Sequence, residues 1–284
     1  MIESIPNFSE GRDLGIVQEI RDAITSVKGV LLLGCESDSD HNRSVITVAG
    51  PPEAVGEGIV RGAVIAAQLI DLTKHSGVHP RIGAADVIPF VPLEGSTMDD
   101  CIAVAHLTAH ELWQRAQVPS YFYEFAAEPP VQLEQVRKGG FEALRQRGGS
   151  HPTAGASAIG ARRILIACNV NLATRDLDLA KRIARKVRAS SGGFPYVKAL
   201  GFELASRGLV QVSLNLTHHE VSPLHMVYEA IRNEAKQAGT EVAETELIGF
   251  IPQEAAEKAG EFLSLCPGFH TSRILEQRIV GLTP

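Results

Sequence analysis

The sequence lacks a cysteine cluster, a long apolar run and an excess of positive charge. Its four cysteines, Cys35, Cys101, Cys168 and Cys266, are widely spaced and form no CxxC pair. A zinc ribbon and a thioredoxin-type redox centre are therefore excluded. Their neighbours are mostly apolar, so the four are expected to be buried free thiols in a reducing compartment. No segment reaches the ~18 uninterrupted apolar residues of a spanning helix. The run Ile59 to Leu72 is broken by Arg61, Gln68 and Asp71. The opening Met1-Ile2-Glu3-Ser4 is neither basic-then-apolar nor arginine-rich. Neither a signal peptide nor a transit peptide is expected, and a cytoplasmic location is. Lys and Arg total 27 against 33 Asp and Glu, a net charge of −6. Neutralising phosphates needs a basic face, so nucleic acid is not an expected partner. A small basic pocket for an anionic metabolite remains compatible with that total.

What is present is a globular composition, 44% hydrophobic and 21% charged over 284 residues. A chain of this length buries about three quarters of its unfolded surface and needs no staple. Periodicity gives a repeated order of elements. Met1 to Pro6 reads as a strand, and Asp13 to Ser26 as a helix with Leu14, Val17, Ile20 and Ile24 on one face. Gly29 to Leu33 and Ser44 to Val48 are strands, Glu53 to Leu72 a helix, and Asp86 to Leu93 a strand. The second half repeats the order: strand Arg163 to Asn169, helix Thr174 to Ala189, strands Val197 to Ala205 and Leu209 to Leu216, helix Ser222 to Ala238, strand Glu241 to Phe250. Ser222-Pro223 reads as the cap and first turn of the last helix. A helix, Met98 to Gln117, a strand, Ser120 to Phe125, and a loop-rich stretch lie between the halves. The expected fold is α+β, an α/β sandwich of two duplicated ferredoxin-like βαββαβ subdomains, residues 1–160 and 161–284.

Five segments could carry chemistry. Lys74 to Gly83 lies between a helix and a strand, where loops tend to carry function. There His79 stands before Pro80, on backbone held extended, with Arg81 two residues on. His79 is a candidate acid/base beside an anion site, or else a surface histidine. His75 and His79 are four apart, but Gly77 and Pro80 interrupt any shared helix face and no HExxH is present, so no metal is expected. Glu36 to Arg43, with Asp38, Asp40 and His41, forms the turn of a hairpin: a polar turn, or a wall of hydrogen-bond partners. In Pro6 to Arg12, Asn7 and Ser9 either cap the following helix or reach a ligand. Val210 to Leu216 alternates strictly, so Gln211, Ser213 and Asn215 share the face opposite the core. Asn169 and Asn171, at the end of their strand, make a similar pair. Finally, the small-residue run Pro152 to Arg162 permits close approach of a ligand to the backbone, or is a flexible connection. It has no lysine at P-loop spacing.

These segments stand together in one order: Ile5-Pro6-Asn7-Phe8-Ser9-Glu10-Gly11-Arg12, Asn42-Arg43, His75 to Asp86 with His79-Pro80-Arg81, Gly155 to Asn171, and Gln211-Val212-Ser213-Leu214-Asn215-Leu216. In that respect the chain resembles, over nearly its whole length, the glutamate formiminotransferase (glutamate formimidoyltransferase) family. This is the formiminotransferase module of formiminotransferase-cyclodeaminase. The resemblance implies two subdomains with a folate tunnel between them, a homodimer, and no fused cyclodeaminase domain. It implies transfer of a formimidoyl group from N-formimidoyl-L-glutamate to N5 of tetrahydrofolate, the co-substrate, with no metal or redox cofactor. His79 matches the family's acid/base histidine. His151, Pro152, Thr153, Ala154 and Gly155 match the end of its folate-binding loop. The sequence departs there: the stretch after Leu144 is shorter than in the family, and Ala154 stands where the animal enzymes carry tryptophan. Both substrates carry carboxylates, so Arg81, Arg43 or Arg162 is expected to clamp them. Glu36 or Asp40 is expected to orient His79 or to neutralise the amidinium, with Asn169 and Asn215 as further substrate ligands. Formyl transfer from N-formylglutamate, another formimino donor, and a non-catalytic folate-binding or scaffolding protein stay open as alternatives.

Overall fold

The computed structural model describes residues 1–76 and 81–283. The chain divides into two compact units, Met1–Arg162 and Arg163–Pro284.

In the first unit Pro6 interrupts the opening strand, because it has no N–H to give to a ladder. The result is β1 (Ile2–Ser4) and β2 (Asn7–Phe8), each antiparallel to the same two neighbours. Next comes α1 (Leu14–Thr25), capped by Asp13, whose side chain accepts from the N–H groups of Gly15 and Ile16. Asn7 and Ser9 are therefore not its caps. Val17, Ile20 and Ile24 are buried, whereas Leu14 is 63% exposed, since the buried stripe begins one turn later at Val17. β3 (Leu31–Asp38) and β4 (Arg43–Gly50) form a hairpin, α2 (Pro52–Leu69) follows, and β5 (Ala85–Pro92) completes the βαββαβ order. α2 begins at Pro52, which needs no partner for a missing N–H.

The sheet then grows beyond β5. α3 (Met98–Ala116), with a capping box from Thr97 to Asp100, leads to β6 (Ser120–Glu124). Two short helices, α4 (Leu133–Val136) and α5 (Gly140–Gln146), precede β7 (Ser157–Ala161). β7 runs parallel to β5 on one side and β6 on the other, and every residue of it is buried. The small-residue run is thus not a flexible connection. Its small side chains are what let a strand fit between two neighbours: a Cβ on Gly160 would stand 2.5 Å from the Tyr123 ring.

The second unit is a four-stranded antiparallel sheet in the order β11-β8-β10-β9, from β8 (Ile166–Leu172), β9 (Val197–Leu204), β10 (Leu209–Leu216) and β11 (Val242–Ile248). α6 (Leu177–Val187) and α7 (Leu224–Gln237) are the crossover helices. Strands alternate inward and outward, and Ile166, Cys168, Val170, Leu172, Val210, Val212, Leu214 and Leu216 are all buried against Ile183, Val187, Val227 and Ile231. β8 starts later than expected, so Asn169 and Asn171 lie within the strand rather than at its end. Ser222 does not cap α7; its hydroxyl donates to the Pro195 carbonyl. α8 (Gln253–Ala259), α9 (Glu261–Ser264) and α10 (Leu275–Val280) follow, with Ala256, Ala259, Phe262 and Leu275 buried.

The thiols divide. Cys101 and Cys168 are buried; burial pushes Cys101 up to about 12 and Cys168 higher still. Cys35, expected inside, is exposed, because it lies on the edge strand β3. Among the described residues no helix is long and apolar enough to cross a membrane.

Candidate active site

The first unit gathers four of the sequence segments around one buried carboxylate. Asp86, second residue of β5, has no exposed surface. Its Oδ1 accepts the Ile82 N–H at 2.7 Å, and its Oδ2 accepts from Arg43 Nη1 at 2.7 Å and Arg137 Nη2 at 2.5 Å. Burial alone would raise Asp86; Arg137 and Arg43 outweigh it and hold the carboxyl below the ordinary range. Arg43 opens β4 and is itself buried. Its Nε and Nη2 donate to Asn7 Oδ1 at 3.1 and 2.8 Å. Asn7, whose amide also donates to the Ile5 carbonyl, thus serves Arg43.

Arg81, 9% exposed, donates to the carbonyls of Asn42 at 3.0 Å and His41 at 2.8 Å, and its Nη1 lies 2.7 Å from His75 Nε2. Burial, then Arg81, push the His75 imidazole below its ordinary value. Ser76 is held from the other side: Asn42 Nδ2 donates to its carbonyl at 3.2 Å and Arg12 Nη1 to its hydroxyl at 3.2 Å. Beyond Arg81 the backbone is tied at every step. The Arg81 carbonyl accepts from Phe141 N–H, the Ile82 carbonyl from Ala156 N–H, and the Gly83 carbonyl from the Ser9 hydroxyl. His79 lies outside the described residues, but Ser76 and Arg81, which flank positions 77–80, are both fixed.

The 151–155 segment packs onto this same backbone. His151 and Gly155 bond to each other in both directions, at 2.7 and 3.2 Å, and His151 Nδ1 accepts from Ala154 N–H at 3.0 Å. Its outer side bonds to the first segment: Leu72 N–H gives to the Thr153 carbonyl and Ala84 N–H to the Ala154 carbonyl. Ala154 and Gly155 are buried, Thr153 and His151 half-buried and Pro152 exposed. Only glycine serves at positions 83 and 155. A Cβ on Gly83 would sit 2.0 Å from the Ala156 carbonyl, and Gly155 has φ +73° with its Cβ position 2.1 Å from the Ile82 carbonyl.

Glu36 and Asp40 are both exposed; Glu36 lies in β3, not in the turn, and Asp40 is in the 39–42 turn. Beside them Asp38 pairs with His41 at 2.8 Å. Arg162, half-buried just after β7, gives its backbone N–H to the Phe90 carbonyl.

In the second unit the open sheet face forms a grid. Strand register sets Glu244, Asn171, Gln211 and Phe202 in one row, Glu246, Asn169, Ser213 and Leu200 in the next, and Ile248, Ala167, Asn215 and Lys198 in the third. Asn171, with no exposed surface, donates to Glu244 and Glu246, each at 2.9 Å, and accepts from Gln211 at 3.0 Å. Asn169 donates to Glu246 at 2.9 Å, and Arg207 pairs with Glu244 at 2.6 Å. Asn215 is exposed beside Lys198. A separate shallow pocket is lined by His219, Glu220, Leu224, His225, Glu254 and Lys258, none of them singled out in the sequence.

Asp86 and Arg137 are the functional candidates that sequence reasoning missed. Asp86 had a signal, a lone charge in the apolar run Ala84 to Val91; Arg137 had none. Among the described residues no group of three or more His, Cys, Asp or Glu is arranged to hold a metal ion.

The architecture and these residues can now be set beside known proteins. The family described as the formiminotransferase domain, N-terminal subdomain, matches residues 1–163, and the formiminotransferase domain matches residues 167–279. The chain belongs to the formiminotransferase family. A glutamate formimidoyltransferase of Thermoplasma acidophilum is 39% identical over 98% of this chain and 97% of its own length. One from Streptococcus pyogenes serotype M1 is 37% identical over 99% of both chains. The formimidoyltransferase-cyclodeaminase of Rattus norvegicus is 38% identical over 92% of this chain but 52% of its own length.

Proposed function

We propose that this protein is a glutamate formimidoyltransferase. It moves the formimidoyl group of N-formimidoyl-L-glutamate to N5 of tetrahydrofolate, releasing glutamate and 5-formimidoyltetrahydrofolate. The observation that carries the reading is similarity along the full length to enzymes of that name. Tetrahydrofolate is a co-substrate in this reading.

The chemistry needs little beyond placement and one proton carrier. N5 attacks the amidine carbon and a tetrahedral intermediate forms. N5 then loses a proton, and the departing glutamate nitrogen gains one. A histidine titrating near pH ~6.5 can take the first and return the second. His79 is the residue proposed for that role, on the strength of the family resemblance. Holding both substrates together supplies much of the remaining acceleration by proximity.

The cationic cluster supports the reading. Arg43, Arg81 and Arg137 surround a single buried carboxylate, which favours an anionic substrate nearby. Arg43 and Arg81 both give N–H bonds to protein, and Arg81, Arg43 or Arg162 is proposed to hold the substrate carboxylates. His151 to Gly155 is proposed as the folate-binding segment, and Asn169 and Asn215 are proposed as substrate ligands. Glu36 and Asp40 are proposed as partners of the amidinium. The acting species is proposed to be a cytoplasmic homodimer.

The test is incubation of the pure protein with tetrahydrofolate and each donor separately, with product identified by mass. Formation of 5-formimidoyltetrahydrofolate from N-formimidoyl-L-glutamate is expected. Turnover of N-formylglutamate alone would move the donor to the formyl compound. No transfer from either, with folate still bound, would leave a binding protein.

A further inference from the structure

We propose that Arg137 is a positioning residue for the transfer reaction, acting through Asp86 on the backbone of Arg81 and Ile82. The proposal rests on the transferase reading above.

Arg137 follows α4, in the excursion between β6 and β7, far along the chain from the residues it serves. Two routes lead from it to the same place. The first runs through side chains. Arg137 Nη2 binds Asp86 Oδ2, and Asp86 Oδ1 takes the Ile82 N–H. The side chains of Asp86, Arg43 and Arg137 are 0, 9 and 15% exposed, so water contributes little screening. The second route runs through the main chain. The Arg137 carbonyl accepts from Gly140 N–H at 2.9 Å, which sets the turn whose next residue, Phe141, donates to the Arg81 carbonyl at 3.0 Å. Side chain and backbone of one turn thus grip both sides of a single peptide group, the one between Arg81 and Ile82.

The charge count explains why two arginines meet there. A wholly buried carboxylate facing no cation would take up a proton. Arg43 alone balances it, but Arg43 is shared with Asn7. The second guanidinium keeps Asp86 ionised and leaves the cluster with net positive charge. Among the described residues the Arg137 guanidinium binds the Asp86 carboxylate. Its influence on turnover therefore passes through Asp86 and the peptide group between Arg81 and Ile82.

The experiment compares Arg137→Met and Arg137→Lys with the native protein and with His79→Ala, measuring kcat, both KM values and melting temperature. A displacement on the order of 1 Å costs about 10²-fold in rate. Arg137→Met should accordingly lower kcat by about 10- to 100-fold, with both KM values nearly unchanged. Arg137→Lys keeps the charge opposite Asp86 but loses the planar fork, and should fall between the two. If Arg137→Met does not fold, Arg137→Lys carries the test, and native kcat in it overturns the proposal. Native kcat in a folded Arg137→Met protein, with His79→Ala inactive, overturns the proposal and leaves the transferase reading standing. A raised KM at native kcat also overturns it, since that marks a substrate-binding residue. Native turnover in His79→Ala overturns the acid–base reading and this proposal together.

Discussion

Arg137 and Asp86 stand 51 residues apart in the chain and meet at 2.5 Å on a carboxylate with no exposed surface. That contact joins the excursion after β6 to the start of β5, and it completes a cluster that also holds Arg43, Asn7 and the Ile82 N–H. The consequence is stiffness. Ser76 and Arg81 are each tied to separate elements.

Asp86→Asn should be among the costliest single substitutions in the first unit. Removing one partner of a buried charge cluster leaves the other charges unbalanced, which costs about 3–5 kcal/mol. The pH dependence has a definite sign. Arg137 and Arg43 depress the folded-state pKa of Asp86, so its contribution is complete above the unfolded value of ~3.9 and is lost as pH falls through the folded value. Melting curves of native and variant protein should therefore differ by a constant margin between pH ~5 and ~8 and converge below pH ~4. A margin that widens on acidification contradicts the assignment.

Gly83→Ala should lower melting temperature and turnover together. The new methyl would stand 2.0 Å from the Ala156 carbonyl and 3.0 Å from that of Ala85, so the 82–85 backbone must separate from β7. Overpacking of this kind costs about 1–3 kcal/mol, more where backbone cannot yield. A native melting temperature in this variant would show that the two segments are not in contact in solution.

Asn171→Leu tests the second unit. Asn171 is the common donor between Glu244 and Glu246, and with Arg207 it holds Glu244, which burial would raise, below its ordinary range. Without it two carboxylates face each other across a leucine. A loss of about 1–3 kcal/mol is expected at neutral pH, shrinking as Glu244 protonates on acidification. Equal destabilisation at pH 7 and pH 4 would assign the loss to packing instead.

The sequence made some of this legible and hid the rest for physical reasons. Val210, Val212, Leu214 and Leu216 announce their strand because alternation is a local property, and the register of the polar face follows. The βαββαβ order is readable in both halves for the same reason. β7 is hidden because serine, alanine and glycine carry no strand signal of their own; its strand character comes from β5 and β6 on either side. Asn7 and Ser9 look like helix caps by composition, yet Asp13 sits closer to the helix start and takes that role. His79, Arg43 and Arg81 stand out in short polar segments. Arg137 does not, because its meaning lies in a partner 51 residues away that no local pattern announces.

The most direct measurement is the initial rate of 5-formimidoyltetrahydrofolate formation by His79→Ala beside the native protein, at saturating donor and folate, with melting curves taken on both. The account predicts a loss of about 10²–10⁴-fold, the range for removal of a positioned acid/base, at an unchanged melting temperature. Native turnover in the folded variant would contradict it.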